Sequence, residues 1–182
     1  MEKEALVRGI LEAIGEDPDR EGLRGTPGRV VRSWGDLFSG YGIDESDVLT
    51  TTFLEGACRE QVIESGIQFY STCEHHMLPF FGTVSIGYLP RDRVVGASKL
   101  ARLVDMYARR LQIQERLTTQ VAEAIVRCLD PAGVMVVVRA QHMCMTSRGV
   151  RLQDVKFTTS AIRGLYSESS ALRNEFLMLE RA

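Results

Sequence analysis

The stretch STCEHHMLPF, Ser71 to Phe80, carries two of the chain's three histidines and one of its four cysteines. Cys73 and His76 are spaced so that both side chains can converge from one tight turn onto a single zinc ion. Farther along, QHMCM (Gln141 to Met145) supplies the remaining histidine and another cysteine. Read as the end of a strand, this segment turns alternate residues to one face, so His142 and Cys144 point the same way. Cys144 then makes a third ligand with His142 beside the metal. Three ligands leave the fourth tetrahedral position open to water, the catalytic arrangement; enlisting His75 or His142 would close it and leave a structural ion. Adjacent side chains of an extended segment point apart, so one of His75 and His76 can bind metal while the other faces a substrate. The competing structural reading makes His142 a core histidine and Cys144 a small buried apolar residue.

Other polar groups complete a possible site. GASKLARLV places Ser98 at an expected helix N-cap with Lys99 and Arg102 in the first turn, a combination suited to phosphate oxygens. Taken alone, the combination is more often an ordinary cap with two solvated cations. TSRGVR adds Arg148 and Arg151 shortly after Cys144, and QIQERLT holds Gln114 and Glu115 where a helix begins. There Glu115 could simply be a first-turn acid favoured by the helix dipole.

These residues need elements to position them. Ala5, Leu6, Ile10, Leu11 and Ile14 recur at helical spacing near the N-terminus. A charged Gly/Pro-rich connector follows, then Thr26-Pro27 reads as a cap and first helical position for a helix ending near Ser39-Gly40. Residues 40–60 show no period and are expected to form a loop with short pieces of structure. From 61 the pattern turns to strands: EQVIESGIQFYST, then TVSIGYLP. Leu100, Leu103, Val104, Tyr107 and Leu111 keep helical spacing, as do Leu117, Val121, Ala124, Ile125 and Cys128. They mark two helices, or one long helix broken near Gln112–Gln114. VMVVVRAQHMCM and VKFTTSAIRG read as two further strands, and SALRNEFLML as a closing helix. The fold class is α+β, in the order β-β-α-α-β-β behind a helical N-terminal part.

At 182 residues, the chain can bury one core with an appendage. A net charge of −2 gives no global attraction to nucleic acid or an anionic membrane, so anion binding must come from a local cluster. No apolar run approaches the roughly 20 residues that span a bilayer. The first residues read as an amphipathic helix and not an export signal. The expected compartment is therefore the cytoplasm, with the cysteines as thiols or metal ligands.

YSTCEHHMLPFFG, GASKLARLVDMYARRLQIQERLT, QHMCMTSRGV and the later TTS resemble the GTP cyclohydrolase I family, in that order and spacing, from about Thr26 almost to the C-terminus. The resemblance implies the tunnelling fold: a four-stranded antiparallel sheet with two helices on one face. It implies an N-terminal helical region at 1–58, a catalytic domain at 59–182, and a homodecamer of two pentamers with active sites between subunits. The implied reaction converts GTP and water to formate and 7,8-dihydroneopterin triphosphate, a first step toward folate, biopterin or deazaguanine compounds. Zinc on Cys73, His76 and Cys144, and His75 and His142 as catalytic histidines, follow from the same resemblance. So do Glu115 with Gln114 on the guanine; Ser98, Lys99, Arg102 and Arg148 on ribose and triphosphate; and Arg29 reaching a neighbour's triphosphate. Other tunnelling-fold enzymes fit less well. The pterin synthases bind zinc through three histidines and the nitrile reductases use a lone nucleophilic cysteine.

Overall fold

A computed structural model describes residues 2–54, 58 and 60–181. They form two compact units, Met1–Ser39 and Gly40–Ala182. Parts of the expected irregular stretch, 55–57 and 59, lie outside the described residues, and the expected boundary at 58/59 falls on them.

The first unit is a helix pair, α1 (Lys3–Ala13) and α2 (Thr26–Leu37). Helix α2 begins as expected with proline in its opening turn, although Gly25 and not Thr26 is its cap. Val7 and Leu11 are the buried residues of α1, while Leu6, Ile10 and Ile14 stay exposed. The apolar stripe of α1 is thus wider than the face it buries within its own unit.

The second unit opens with α3 (Glu45–Val48) and β1 (Thr52–Phe53), then the long strands β2 (Val62–Cys73) and β3 (Pro79–Leu89). After β4 (Val94–Val95) come α4 (Ala97–Ala108), β5 (Leu111–Gln112) and α5 (Gln114–Leu129). The chain closes with β6 (Gly133–His142), α6 (Met143–Thr146), β7 (Phe157–Gly164), α7 (Leu165–Glu168) and α8 (Ser170–Leu179). The α+β class and the order of long elements match the periodicity.

Among the described residues the main sheet runs β5-β2-β3-β6-β7. Its four long strands are antiparallel; β5 adds a fifth, parallel strand, pairing Thr72 with Leu111 and Cys73 with Gln112. The expected four-stranded sheet omits this strand because two residues are too short to show a period. The same pairing decides the helix question: α4 and α5 are separate, and Leu111 belongs to the strand between them.

One sheet face carries Phe69, Phe80, Val84, Ile86, Val134, Val136 and Val138 in one core with Leu100, Leu103 and Val104 of α4 and Leu117, Val121 and Ile125 of α5. The other face packs Leu89, Met135 and Val137 against Tyr166 and Phe176 in a smaller cluster. The residue after α8 pins this second layer. Arg139 of β6 donates to both oxygens of Glu180, at 2.9 and 2.7 Å, and Ser85 Oγ donates to Oε2 at 3.0 Å. Burial works to raise the Glu180 carboxyl, but these hydrogen bonds overcome it and hold the group below its ordinary 4.5. A depressed folded-state value contributes stability above the unfolded value and loses it as pH falls through the folded one. Glu180→Gln should therefore cost about 2 kcal/mol at neutral pH. The gap to the parent protein should narrow as the pH drops below about 4.5. Urea midpoints at several pH values and one protein concentration check this; equal midpoints at pH 7 would count against the anchor.

Candidate active site

The hairpin between β2 and β3 forms the first half of the site. Cys73 N–H donates to Leu78 O and Met77 N–H to Cys73 O, both at 2.8 Å, and Met77 takes a left-handed φ of 53°. This turn lets the chain reverse within five residues and projects His75 and His76 outward, both exposed, while Cys73 is buried. Glu74 N–H donates to Gln112 O at 3.0 Å, which continues the β2–β5 pairing and brings the start of α5 alongside the hairpin.

The second half comes from the end of β6. His142 pairs with Phe80 at the last rung of the β3–β6 ladder. The strand stops there, because β7 meets β6 only from Ala140 back and nothing further pairs. Cys144 therefore sits on the short helix α6, where the sequence pattern predicts a continuing strand. The expected convergence of His142 and Cys144 is realised through a turn and not through strand alternation.

Cys73, His76 and Cys144 are brought together: their ligand atoms all lie within 4.8 Å of one another. The two sulfurs are 3.9 Å apart. Two thiolates on one tetrahedral zinc, each at about 2.3 Å, stand roughly 3.8 Å apart, so the donor set and its spacing fit that ion. Arg148 donates to His76 Nε2 at 2.8 Å; an arginine can only donate, so this nitrogen presents a lone pair. Burial, and then the neighbouring Cys73, push the Cys144 thiol up.

His142 lies flat on Phe80, ring centroids 4.7 Å apart and planes within 5°, and meets Phe157 edge-on at 5.8 Å. Its Nε2 is 2.9 Å from Gln114 Oε1. Burial lowers its pKa, and the charge of Glu115 opposes that. Gln114 and Glu115 open α5. Glu115 is exposed beside the histidines, whereas Gln114 is 1% exposed and has both amide atoms engaged by protein groups. Cys73, His75, His76, Glu115, His142 and Cys144 line one cleft of about 200 Å³. Ordinary ligand pockets run to roughly 300–1,000 Å³, so the chain by itself offers part of one.

Of the phosphate-directed residues Arg148 stands at the cluster, and the others stand elsewhere. Ser98, Lys99 and Arg102 sit in the first turns of α4, whose cap is Gly96 and not Ser98. Lys99 Nζ donates to Thr50 Oγ1 at 3.2 Å. The far end of the same helix touches the site strand, Ser71 Oγ donating to Ala108 O at 2.7 Å. Twelve helical residues span roughly 18 Å, so Ser98 and Lys99 lie near the end of α4 away from Ala108, with Arg102 about 9 Å from it along the axis. Arg29 belongs to the first unit, where its Nη2 donates to Thr26 Oγ1 at 2.9 Å.

The sequence reading overlooks Phe80, Phe157, Thr118 and Thr159. Thr159 carried a signal: Phe157, Thr159 and Ala161 alternate on one face of β7, and a hydroxyl among residues that face the helices calls for a partner.

The sulfur spacing makes an oxidation test available. A disulfide needs the sulfurs near 2.05 Å, a short approach from 3.9 Å once nothing separates them. Chelated, air-exposed protein should lose two of its four titratable thiols and regain them with reductant, while zinc-loaded protein keeps all four. Unchanged thiol counts after chelation would argue against the shared site.

Comparison with known proteins adds an independent line. The model of the family described as GTP cyclohydrolase I matches residues 3–181. A GTP cyclohydrolase 1 of Wolinella succinogenes is 55% identical over 174 residues, covering 96% of this chain and 93% of that protein. One from Thermobifida fusca strain YX is 54% identical over 178 residues, covering 97% and 86%. One from Helicobacter pylori strain G27 is 48% identical over 176 residues, covering 97% and 98%. With a family match over almost its whole length and relatives this similar over nearly all of theirs, the chain belongs to the GTP cyclohydrolase I family.

Proposed function

We propose that this protein converts GTP and water to formate and 7,8-dihydroneopterin triphosphate, opening the purine at C8 and rebuilding the ring with ribose carbons. Family membership supports the reaction, and the cleft that joins a Cys-His-Cys cluster to His142 and Glu115 is the observation that carries it. On this reading, the fold is the tunnelling fold with its catalytic domain at 59–182, the metal is zinc, and the compartment is the cytoplasm. The product leads toward folate, biopterin or deazaguanine compounds.

Cys73, His76 and Cys144 would hold the ion, with sulfur spacing suited to it, and Arg148 would release the His76 Nε2 lone pair it now occupies if that nitrogen is the ligand. When bound, zinc supplies Lewis-acid activation of water near neutral pH. Glu115 holds the base: guanine offers N1–H and its exocyclic amine as neighbouring donors, and an ionised carboxylate accepts both. Adenine offers an acceptor at N1 and no amine at C2, so it leaves the carboxylate facing a lone pair. His142 gives a proton to purine N7, which makes C8 a better electrophile. His75, exposed beside the cluster, moves the protons that ribose opening and ring closure require. Ser98, Lys99, Arg102, Arg148 and Arg29 take the ribose and triphosphate. Gln114 stands behind His142 and supports the guanine side from within.

Assembly follows the same logic. Ser98 and Lys99 lie toward the end of α4 away from their own chain's site strand, and on this reading a neighbouring chain supplies them together with Arg102. Among the described residues, β7 has one unpaired edge, and β2 beyond its two-residue contact with β5 has another. Open edges invite pairing with further copies. Two stacked pentamers satisfy both demands, and light scattering should return the mass of about ten chains; an active monomer would rule this out.

The function is tested by formate release from zinc-loaded protein. GTP should yield one formate per turnover and ATP none. Glu115→Gln, which sets an amide donor against a guanine donor, should lower kcat/KM for GTP by about two orders of magnitude at unchanged zinc content. No formate from loaded, assembled protein overturns the reaction; near-equal values for the variant would remove Glu115 from the base site.

A further inference from the structure

Behind the cleft lies a hydrogen-bonded chain whose proton directions can be worked out from chemistry alone. Gln114 Nε2 faces three oxygens: Phe157 O at 2.9 Å, Val138 O at 3.1 Å and Thr159 Oγ1 at 3.1 Å. Two are backbone carbonyls, which can only accept. The hydroxyl is constrained too. Thr118 Oγ1 lies 2.7 Å from Gln114 O and 2.6 Å from Thr159 Oγ1. Its single proton goes to the carbonyl, so Thr159 must donate toward Thr118 and offers only lone pairs to Gln114. Three acceptors therefore surround that end of the amide, and it must be the NH₂ end; turned round, its oxygen would face two carbonyl oxygens. The amide oxygen is left 2.9 Å from His142 Nε2. An oxygen of this kind accepts and never donates, so His142 Nε2 carries a hydrogen.

We infer that Thr118, Thr159 and Gln114 form a one-way hydrogen-bond relay that holds His142 as its Nε2–H form, so that Nδ1 is the nitrogen that works on the substrate. Phe80 and Phe157 fix the ring plane, and the relay fixes which nitrogen is which. Among the described residues no protein group is hydrogen-bonded to Nδ1. Resting on the reading above, the step is then specific. Nδ1 takes a proton from solvent water, that Nδ1–H bond breaks as the N7–H bond forms, the positive charge passes to the purine, and Nε2–H stays on Gln114 throughout. Gln114 is a positioning residue in this account. It is the neighbour of Glu115 in sequence, but its amide is spent inside the protein and does not read the base.

The inference separates from a direct guanine contact by what a variant changes. Gln114→Met keeps length and removes both the donor and the acceptor. It should lower kcat for GTP by at least tenfold, with KM within about twofold, because Glu115 still holds the base. Thr159→Val should lower kcat roughly threefold in the parent protein and not at all in the Gln114→Met background, since members of one network are not additive. Thr159→Ser should restore the parent rate. A raised KM with unchanged kcat in Gln114→Met would overturn the relay and return Gln114 to the guanine. Raman spectra in D₂O, which distinguish the two neutral imidazole tautomers, give a readout independent of turnover. With the spectrum of His142→Gln subtracted, zinc-loaded parent protein should show His142 as Nε2–H alone, and Gln114→Met a mixture. Nδ1–H in the parent protein would overturn the inference even if Gln114→Met and Thr159→Val do not fold. Absence of formate release would instead refute the reaction while leaving the tautomer result to be judged by the spectrum.

Discussion

Two rungs of parallel pairing, Thr72 with Leu111 and Cys73 with Gln112, set the hairpin of Cys73 and His76 against the start of α5 with Gln114 and Glu115. They end the longest strand against the link between two helices, so that α5 starts beside the hairpin that carries Cys73 and His76. The pairing is short but heavily braced. Gln112, 1% exposed, donates to Tyr107 O and Gln120 Oε1 and accepts from Arg116 Nε at 3.0 Å. Arg116 in turn forms an ion pair with Glu74 in the hairpin. Hairpin, link and helix start are thereby tied into one body through the buried Gln112 amide and the partly exposed Arg116–Glu74 pair. An amide without partners would cost free energy at that depth, so the network has few alternative arrangements.

The long elements were legible because each must bury one face. Four strands and two helices gave clear periods, and their apolar positions are those that fill the core between sheet and helices. What was not legible was local and short. Two residues of β5 cannot show a period, and the end of β6 depends on where its neighbours stop pairing, which is a property of three strands at once. The apolar stripe of α1 misled for a different reason. Leu6, Ile10 and Ile14 match helical spacing as well as Leu11 does, and only packing distinguishes them.

The site shows the same division. Cys73, His76 and Cys144 could be picked out because metal ligands are few in kind and their spacing is restrictive. The route by which Cys144 arrives was misjudged, since a strand and a single helical turn both bring it near His142. Residues whose role is to hold a neighbour were missed. Thr118 and Thr159 bear no mark of function in the sequence beyond being polar where apolar residues are expected. Glutamine and glutamate in succession looked like a pair. In a helix, however, successive side chains diverge by about 100°. Gln114 therefore turns inward to β6 and β7 while Glu115 turns to the cleft, and neighbours in sequence are divided between support and contact.

That division has a consequence for how the cleft can vary. Glu115 is exposed and meets few constraints from its own chain, so the chemistry it presents can change without disturbing the core. Gln114 cannot change so freely, because its amide meets one buried and one partly buried backbone carbonyl as well as His142. Removing it leaves those carbonyls short of a donor at the point where β6 and β7 meet, and a buried acceptor without a donor is costly whatever the substrate. The exposed carboxylate of Glu115 and the buried amide of Gln114 are thus adjacent on the chain but answer to different physics. One is judged by what enters the cleft, the other by the sheet beneath it. A cleft built this way can change what it presents at position 115 while His142 and the Cys73, His76 and Cys144 group stay anchored to the fold.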